Sequence, residues 1–217
     1  MGRINRLRGT IPLMSFLMLG SAVAGCSGTR TAAPDASPAP AALDWRRVAT
    51  VADRDRLRRW RDAWTTTLPA ARAADPAGVA AAGDLLAIDR ALPGATPPPG
   101  RYRCRVLKLG AAGTGARAFT AYPWFDCHID DQGEVLGFYK DTGSQRPVGL
   151  IFRDAPSRAI FLGTLVLGDE GAPLQYGQDG DRDMVGVVER VGERRWRLVL
   201  PWPRFESQLD VIELVPA

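Results

Sequence analysis

The 217-residue sequence carries 28 basic and 24 acidic residues, a net charge of +4, with one histidine and three cysteines. The charge excess is small and sits mostly in an N-terminal segment expected to be removed, so nothing asks for a nucleic-acid partner. A single histidine leaves a serine triad only His128 to use, and no Gly-x-Ser-x-Gly elbow presents a nucleophile to it.

Met1–Thr10 holds Arg3, Arg6 and Arg8 without an acid, and Ile11–Ala24 is almost wholly apolar. These are the charged and apolar regions of a secretory signal, and the run falls short of the ~20 residues a spanning helix needs. Val23-Ala24-Gly25-Cys26 then resembles the lipobox of bacterial lipoproteins. There the cysteine thiol takes a diacylglycerol, the chain is cut before it, and the new amine is acylated. One acyl chain binds marginally at ~0.8 kcal/mol per buried CH₂, and several together make a lasting anchor. Ser27, where an Asp would signal retention, is similar to an outer-membrane sorting signal. The expected address is an outer-membrane lipid anchor facing the periplasm, with lipidation at Cys26. Cleavage there removes three arginines and leaves 25 basic against 24 acidic residues.

With Cys26 lipidated, Cys104 and Cys127 remain as an even pair in an oxidising compartment. A disulfide between them closes a loop of about 24 residues, worth ~3 kcal/mol in the chain-entropy treatment. A redox or metal pair would want CxxC spacing and nearby ligands, which are missing. Ser27–Leu43 is rich in Ala, Pro, Ser and Thr and reads as a tether, about 50 Å long if fully polyproline-like. The organisation expected is a signal peptide over 1–25, a tether over 26–43, and one α+β domain over 44–217.

Within that domain, residues 44–92 are the helical section. Thr50 and Asp53 have capping-box-like spacing, and Leu57, Trp60, Trp64 and Leu68 share one face of a helix running to about Thr67. Asp75-Pro76 opens a second, Ala-rich helix to about Leu86. Pro93–Gly100 separates the helices from residues 100–217, where the period changes from 3.6 to 2. Eight β-like runs follow, near 101–109, 119–130, 134–140, 147–153, 158–167, 184–191, 194–200 and 209–215. Tight turns join them, and no helix intervenes. They predict an antiparallel meander of about eight strands, curled or closed into a small barrel, with the helices plugging one end or covering one side.

Four stretches resemble an uncharacterised, domain-of-unknown-function family of Gram-negative envelope lipoproteins. They are Tyr122-Pro-Trp-Phe-Asp-Cys127, Thr142-Gly-Ser-Gln-Arg-Pro147, Phe161-Leu-Gly-Thr164 with Leu167-Gly-Asp-Glu170, and Arg195-Trp-Arg-Leu-Val-Leu-Pro201. The resemblance covers most of the mature chain and supplies no catalytic residues.

Several motifs invite chemistry. Asp126, His128 and Asp130 alternate along one strand and project from one face, a row that could bind a metal or run acid–base chemistry. A solvated strand face leading into a turn explains the row as simply. Asp141-Thr142-Gly143-Ser144 looks like one half of an aspartic-protease centre, but a single copy with Lys140 before it fits a hairpin turn. Asp179-Gly-Asp181-Arg-Asp183 starts like a calcium loop and then has Met184 where Gly is required. Arg101, Arg103 and Arg105 form a basic stripe on one strand face. The expectation is a non-enzymatic module with no cofactor and no metal. Its partners would be the membrane and an envelope component or a small apolar ligand in the barrel. The alternatives are an inhibitor of a cell-wall hydrolase acting through Thr142–Pro147, and a metal-dependent or acid–base hydrolase using Asp126, His128 and Asp130.

Overall fold

The computed structural model describes residues 43–217. The expected signal segment, Cys26 and residues 27–42 of the expected tether lie outside the described residues. No helix among the described residues is long and apolar enough to cross a membrane.

The strands are β1 (Gly100–Ala111), β2 (Phe119–Asp131), β3 (Leu136–Lys140), β4 (Gln145–Ala155), β5 (Arg158–Leu167), β6 (Asp183–Gly192), β7 (Arg195–Pro201) and β8 (Ser207–Pro216). Each pairs antiparallel with the next, and β8 returns to β1, closing the barrel. The α+β class and the small antiparallel barrel expected from the period-2 runs are what the chain adopts. Closure removes the sheet edges that an open eight-stranded meander would leave unpaired.

Alternation sends one set of side chains into the lumen. The Cys104–Cys127 disulfide lies there, between Tyr102, Phe138, Phe161, Leu198 and Ile212. Phe138 and Phe161 meet edge-to-face with ring centroids 5.8 Å apart. They fit because Gly149 and Gly163 face each other across β4 and β5. A Cβ on Gly163 would fall 2.2 Å from the Val148 carbonyl oxygen. The lumen is therefore a packed core, as barrels of eight strands are when no ligand space is built in.

The helical section is more divided than its periodicity predicts. It consists of α1 (Trp45–Val48), α2 (Val51–Arg58), α3 (Trp60–Ala74) and α4 (Pro76–Ala82), then a 3₁₀ turn over Gly83–Leu86. Thr50 caps α2, its hydroxyl accepting from the Asp53 N–H at 3.2 Å. The expected continuous helix to Thr67 is interrupted at Arg59. Its carbonyl accepts from the Trp202 indole N–H at 3.2 Å, and its guanidinium covers the Trp202 ring. α3 then continues through Pro69, which lies on the exposed face. Asp75 caps α4, accepting from the Gly78 N–H at 2.8 Å.

These helices cover one side of the barrel. Leu57, the fully buried Trp64 and Leu68 pack on the outward-facing Leu107, Leu109, Val199 and Val211. Strands β5 to β8 are thus apolar on both faces along much of their length, which explains near-continuous apolar runs such as Ile160–Val166. Arg197 is buried completely in this layer. It donates to Glu189 Oε2 at 2.7 Å and to the carbonyls of Leu85, Ala87 and Ile88 at 2.8–3.0 Å, and it lies over the Trp64 ring. One guanidinium therefore ties the 3₁₀ turn and its exit to β6 and β7.

The proline-rich segment before β1 is a plug rather than a spacer. The Gly94 and Ala95 N–H groups donate to the Pro156 carbonyl at 2.8 and 3.3 Å. Trp196 donates to Gly94 O at 3.0 Å, and Tyr102 donates to Pro98 O at 2.7 Å. Ala95 joins the luminal cluster. One end of the barrel is closed by these contacts, and the other stays open.

Candidate functional site

At the open end the inward positions turn polar. The series Cys104, Val106, Lys108 on β1 places Lys108 inside, and register places Asp210 of β8 opposite it. Lys108 donates to Asp210 Oδ2 at 3.0 Å, and Ser207 donates to the other carboxylate oxygen at 2.5 Å. Burial pushes the Asp210 carboxyl up, with Lys108 and Ser207 opposing it.

On β3 the inward series Leu136, Phe138, Lys140 ends in a second lysine. Lys140 is 3 % exposed. It donates to the carbonyls of Thr142 at 2.6 Å and Gln145 at 3.0 Å. Its ammonium also sits 3.7 Å from the centroid of the Phe125 ring, a cation–π contact. No carboxylate among the described residues forms an ion pair with it. Burial pulls its pKa down to about 8, with Arg146 and Lys108 adding like-charge repulsion.

That shift gives a signed prediction. Below pH 8 both folded and unfolded chains hold the Lys140 proton, and the cost of burying the charge is fully present. Between about 8 and 10.5 the folded chain releases the proton while the unfolded chain keeps it, so this group makes stability rise with pH. The full gain is at most about 3 kcal/mol. Urea melts of wild type and Lys140→Met from pH 7 to 10.5 should diverge in slope, with the variant lacking this rise. Parallel curves would contradict the assignment.

Lys140 and Arg146 together hold the β3–β4 turn, Asp141–Ser144, from beneath. Arg146 donates to Gly143 O at 3.1 Å and to Gly168 O and Glu170 O at 2.7 and 2.8 Å. Gly143 has φ +93°, a left-handed conformation that favours glycine. All four turn residues are exposed. Beside the turn lies an opening of about 100 Å³ walled by Val106, Lys108, Tyr122, Phe125, Lys140 and Gln145. Across the mouth a smaller cavity of about 40 Å³ lies between Arg56, Arg182, Met184 and Arg204. The β7–β8 loop forms part of this rim. It begins at Trp202 with φ 52° and ends at Glu206 with φ 64°, two left-handed non-glycine residues.

On the outer wall next to the turn, His128 Nδ1 and an Asp141 carboxylate oxygen are 2.8 Å apart. The His128 ring stacks on Tyr139 with centroids 4.5 Å apart. Nε2 lies on the side of Asp130, 3.6 Å from its carboxylate. The β3–β4 hairpin thus aims Asp141 outward at the imidazole and Lys140 inward at the mouth.

Over residues 45–214 the sequence matches the family described as Domain of unknown function (DUF4893). The chain belongs to that family. No curated protein and no solved structure matches it. The matched span begins at the first residue of α1 and ends within β8, so the helical layer, the plug and the barrel together are the DUF4893 domain. Lys108, Lys140, His128, Asp141 and Asp210 all lie inside it.

Within the DUF4893 domain the Asp126/His128/Asp130 row is only partly assembled. All three lie on the outer face, but the carboxylate bonded to the imidazole is Asp141. The Asp126 side chain makes no hydrogen bond or ion pair among the described residues. The backbone at Asp126 instead fixes the turn, its N–H donating to Thr142 Oγ1 at 3.1 Å and its carbonyl accepting from the Asp141 N–H at 2.8 Å. Among the described residues His128 has no hydrogen-bond or ion-pair partner besides Asp141 and Asp130, and no group of three His, Cys, Asp or Glu side chains is placed to hold a metal ion. Asp179–Asp183 runs from the β5–β6 loop into the start of β6, with Asp181 3.7 Å from Arg204 and the other two carboxylates used locally. Asp179 accepts from the Asp181 N–H and Asp183 from the Gly177 N–H. In the arginine stripe, Arg105 pairs with Glu213 at 2.7 Å, and Arg103 and Arg105 flank Trp124. Lys140 was not singled out as a site residue from sequence. Its signal is a lysine on the luminal side of an alternating strand.

Proposed function

We propose that this protein is a non-enzymatic module of the cell envelope, tethered to the outer membrane through lipidated Cys26 and facing the periplasm. It binds an envelope component at the open end of its barrel. The observation that carries this is the β3–β4 turn, exposed along four residues yet held by Lys140 and Arg146 at the Thr142 and Gly143 carbonyls and at the adjoining Gln145 carbonyl. Such a turn loses little conformational freedom on docking, which is how a rigid loop gains affinity over a mobile one. The adjoining 100 Å³ opening, with Phe125 and Tyr122 beside Lys140 and a Lys108 already paired with Asp210 and Glu206, would take a small amphipathic group of the partner. A small apolar ligand in the lumen is not part of this reading, because the side chains of the disulfide layer occupy that space.

A photo-crosslinking residue at Ser144, in the full lipoprotein expressed in its own envelope, should give a discrete adduct. The same residue at Glu193, in the β6–β7 hairpin, should give none. Equal labelling at both, or none at either, would reject the open end as the contact surface. The rigid turn also favours the inhibitor reading through Thr142–Pro147. Unchanged cell-wall hydrolysis by lysozyme with the protein in excess would remove that version alone.

A further inference from the structure

The barrel wall away from the helices is not uniformly polar. The described residues include eight exposed large apolar side chains. Three of them, Leu43, Val48 and Val51, fall within the first nine described residues, where the tether joins the domain. Val51 is 74 % exposed, the most of the eight. Two more, Leu150 and Leu174, line the same groove as Val48. This groove of about 300 Å³ lies over the outer face of β3 to β5, with Tyr139, Val148 and Phe152 in its walls. It is continuous with the ends of α1 and α2. Val48 closes α1, Val51 opens α2, and the Thr50 N–H between them donates to the Tyr176 hydroxyl, which also borders the groove.

Beside this patch Arg46 is paired with Asp44 and Asp154, and two further arginines have no carboxylate partner among the described residues. Arg47 is exposed and has no acidic partner among the described residues. Arg54 donates to the carbonyls of Arg46 and Ala49 and leaves its charge unneutralised by a carboxylate. Exposed apolar side chains interleaved with free arginines are the composition of surfaces that rest in a lipid headgroup region. Such arginines gain near anionic lipid and lose that gain in salt.

We propose that this patch, formed by the start of the domain, α1, the start of α2 and the β3–β5 groove, is a membrane-docking surface for an anionic lipid bilayer. The proposal rests on the lipid-anchor reading for its location. Only about 17 residues separate Cys26 from Leu43, a span of roughly 50 Å if polyproline-like. The patch lies where that tether meets the domain, so it is the surface held closest to the bilayer.

The test uses residues 27–217 without the anchor, since every described element lies within 43–217. The probes are vesicles of phosphatidylglycerol and phosphatidylethanolamine, and vesicles of phosphatidylcholine alone. Wild type should cosediment with the anionic vesicles at low salt, bind the zwitterionic ones at least tenfold less, and be released by 0.5 M salt. Val51→Asp with Leu174→Asp should lower the anionic partition coefficient at least tenfold. Trp124→Asp, which adds one such charge at an exposed apolar position outside the groove, should leave it within twofold. All three proteins should melt within a few degrees of one another, because each substitution is at an exposed position. No binding by wild type, or equal loss in Trp124→Asp, would overturn the proposal. So would a concentration-dependent dimer abolished by Val51→Asp, which would make a second copy the occupant. Mass spectrometry of the N-terminal peptide from the full chain tests the anchor separately. A bare Cys26 would sink the anchor and leave the vesicle result standing.

Discussion

Replacing Arg197 with methionine should lower stability by about 3–5 kcal/mol, the usual result of removing one partner of a buried charge pair. The guanidinium has no exposed surface and serves four acceptors at once. Methionine fills part of the volume but leaves Glu189 charged and buried, and the carbonyls of Leu85, Ala87 and Ile88 without their donor. Burial already pushes the Glu189 carboxyl up, with Arg197 the main opposing influence. Without Arg197 it is pushed up further, so Glu189 binds a proton more readily in the folded variant than in the unfolded one. The deficit of the variant should therefore shrink as pH falls and Glu189 becomes neutral. A second variant, Glu189→Met with Arg197→Met, separates charge from packing. It should recover much of the loss, since a buried pair replaced by apolar side chains is often neutral. Urea melts between pH 4.5 and 7.5 read both effects. A loss under 1 kcal/mol, or one independent of pH, would show that the helical layer does not depend on this residue.

Removing the disulfide should cost about 3 kcal/mol, within the ordinary range of 2–5 for a native bridge. Cys104 and Cys127 sit on neighbouring strands, diagonal in register, and both face the lumen with 0 and 1 % exposure. The bridge shortens the loops open to the unfolded chain, and its sulfurs fill the middle of the barrel beside Phe138. Cys104→Ala with Cys127→Ala loses both contributions. In the wild type, a reductant cannot reach the buried sulfurs without opening the barrel, so the rate of reduction should track the rate of unfolding in urea. Fast reduction of the folded protein, or a double variant as stable as wild type, would contradict this placement.

The barrel was legible because alternation is local. Tyr102, Cys104 and Val106 on one strand, and Cys127 and Ile129 on the next, already mark the luminal face. The helical layer was legible as a face through Leu57, Trp64 and Leu68, but not in its boundaries. Its break at Arg59 comes from Trp202, 143 residues further along, and no local pattern carries that contact. The same limit applies at the site. Strand alternation grouped Asp126 with His128, whereas the bonded carboxylate, Asp141, arrives across a hairpin through the pairing of His128 with Tyr139. Lys140 was visible as a lysine in an apolar series, and its role depended on seeing the two carbonyls beneath the turn. Pro93–Gly100 looked like a spacer because prolines break regular structure, and their fixed backbone instead suits a segment that plugs the barrel.

A lumen filled by side chains leaves recognition to the outer surface and the rim. Titration with an apolar fluorescent probe such as N-phenylnaphthylamine tests this most directly. A filled barrel predicts no saturable uptake, and any weak enhancement should be abolished by Leu174→Asp in the outer groove with Val51→Asp beside it. Saturable one-to-one binding that survives those substitutions would place a ligand inside the barrel and contradict a filled lumen.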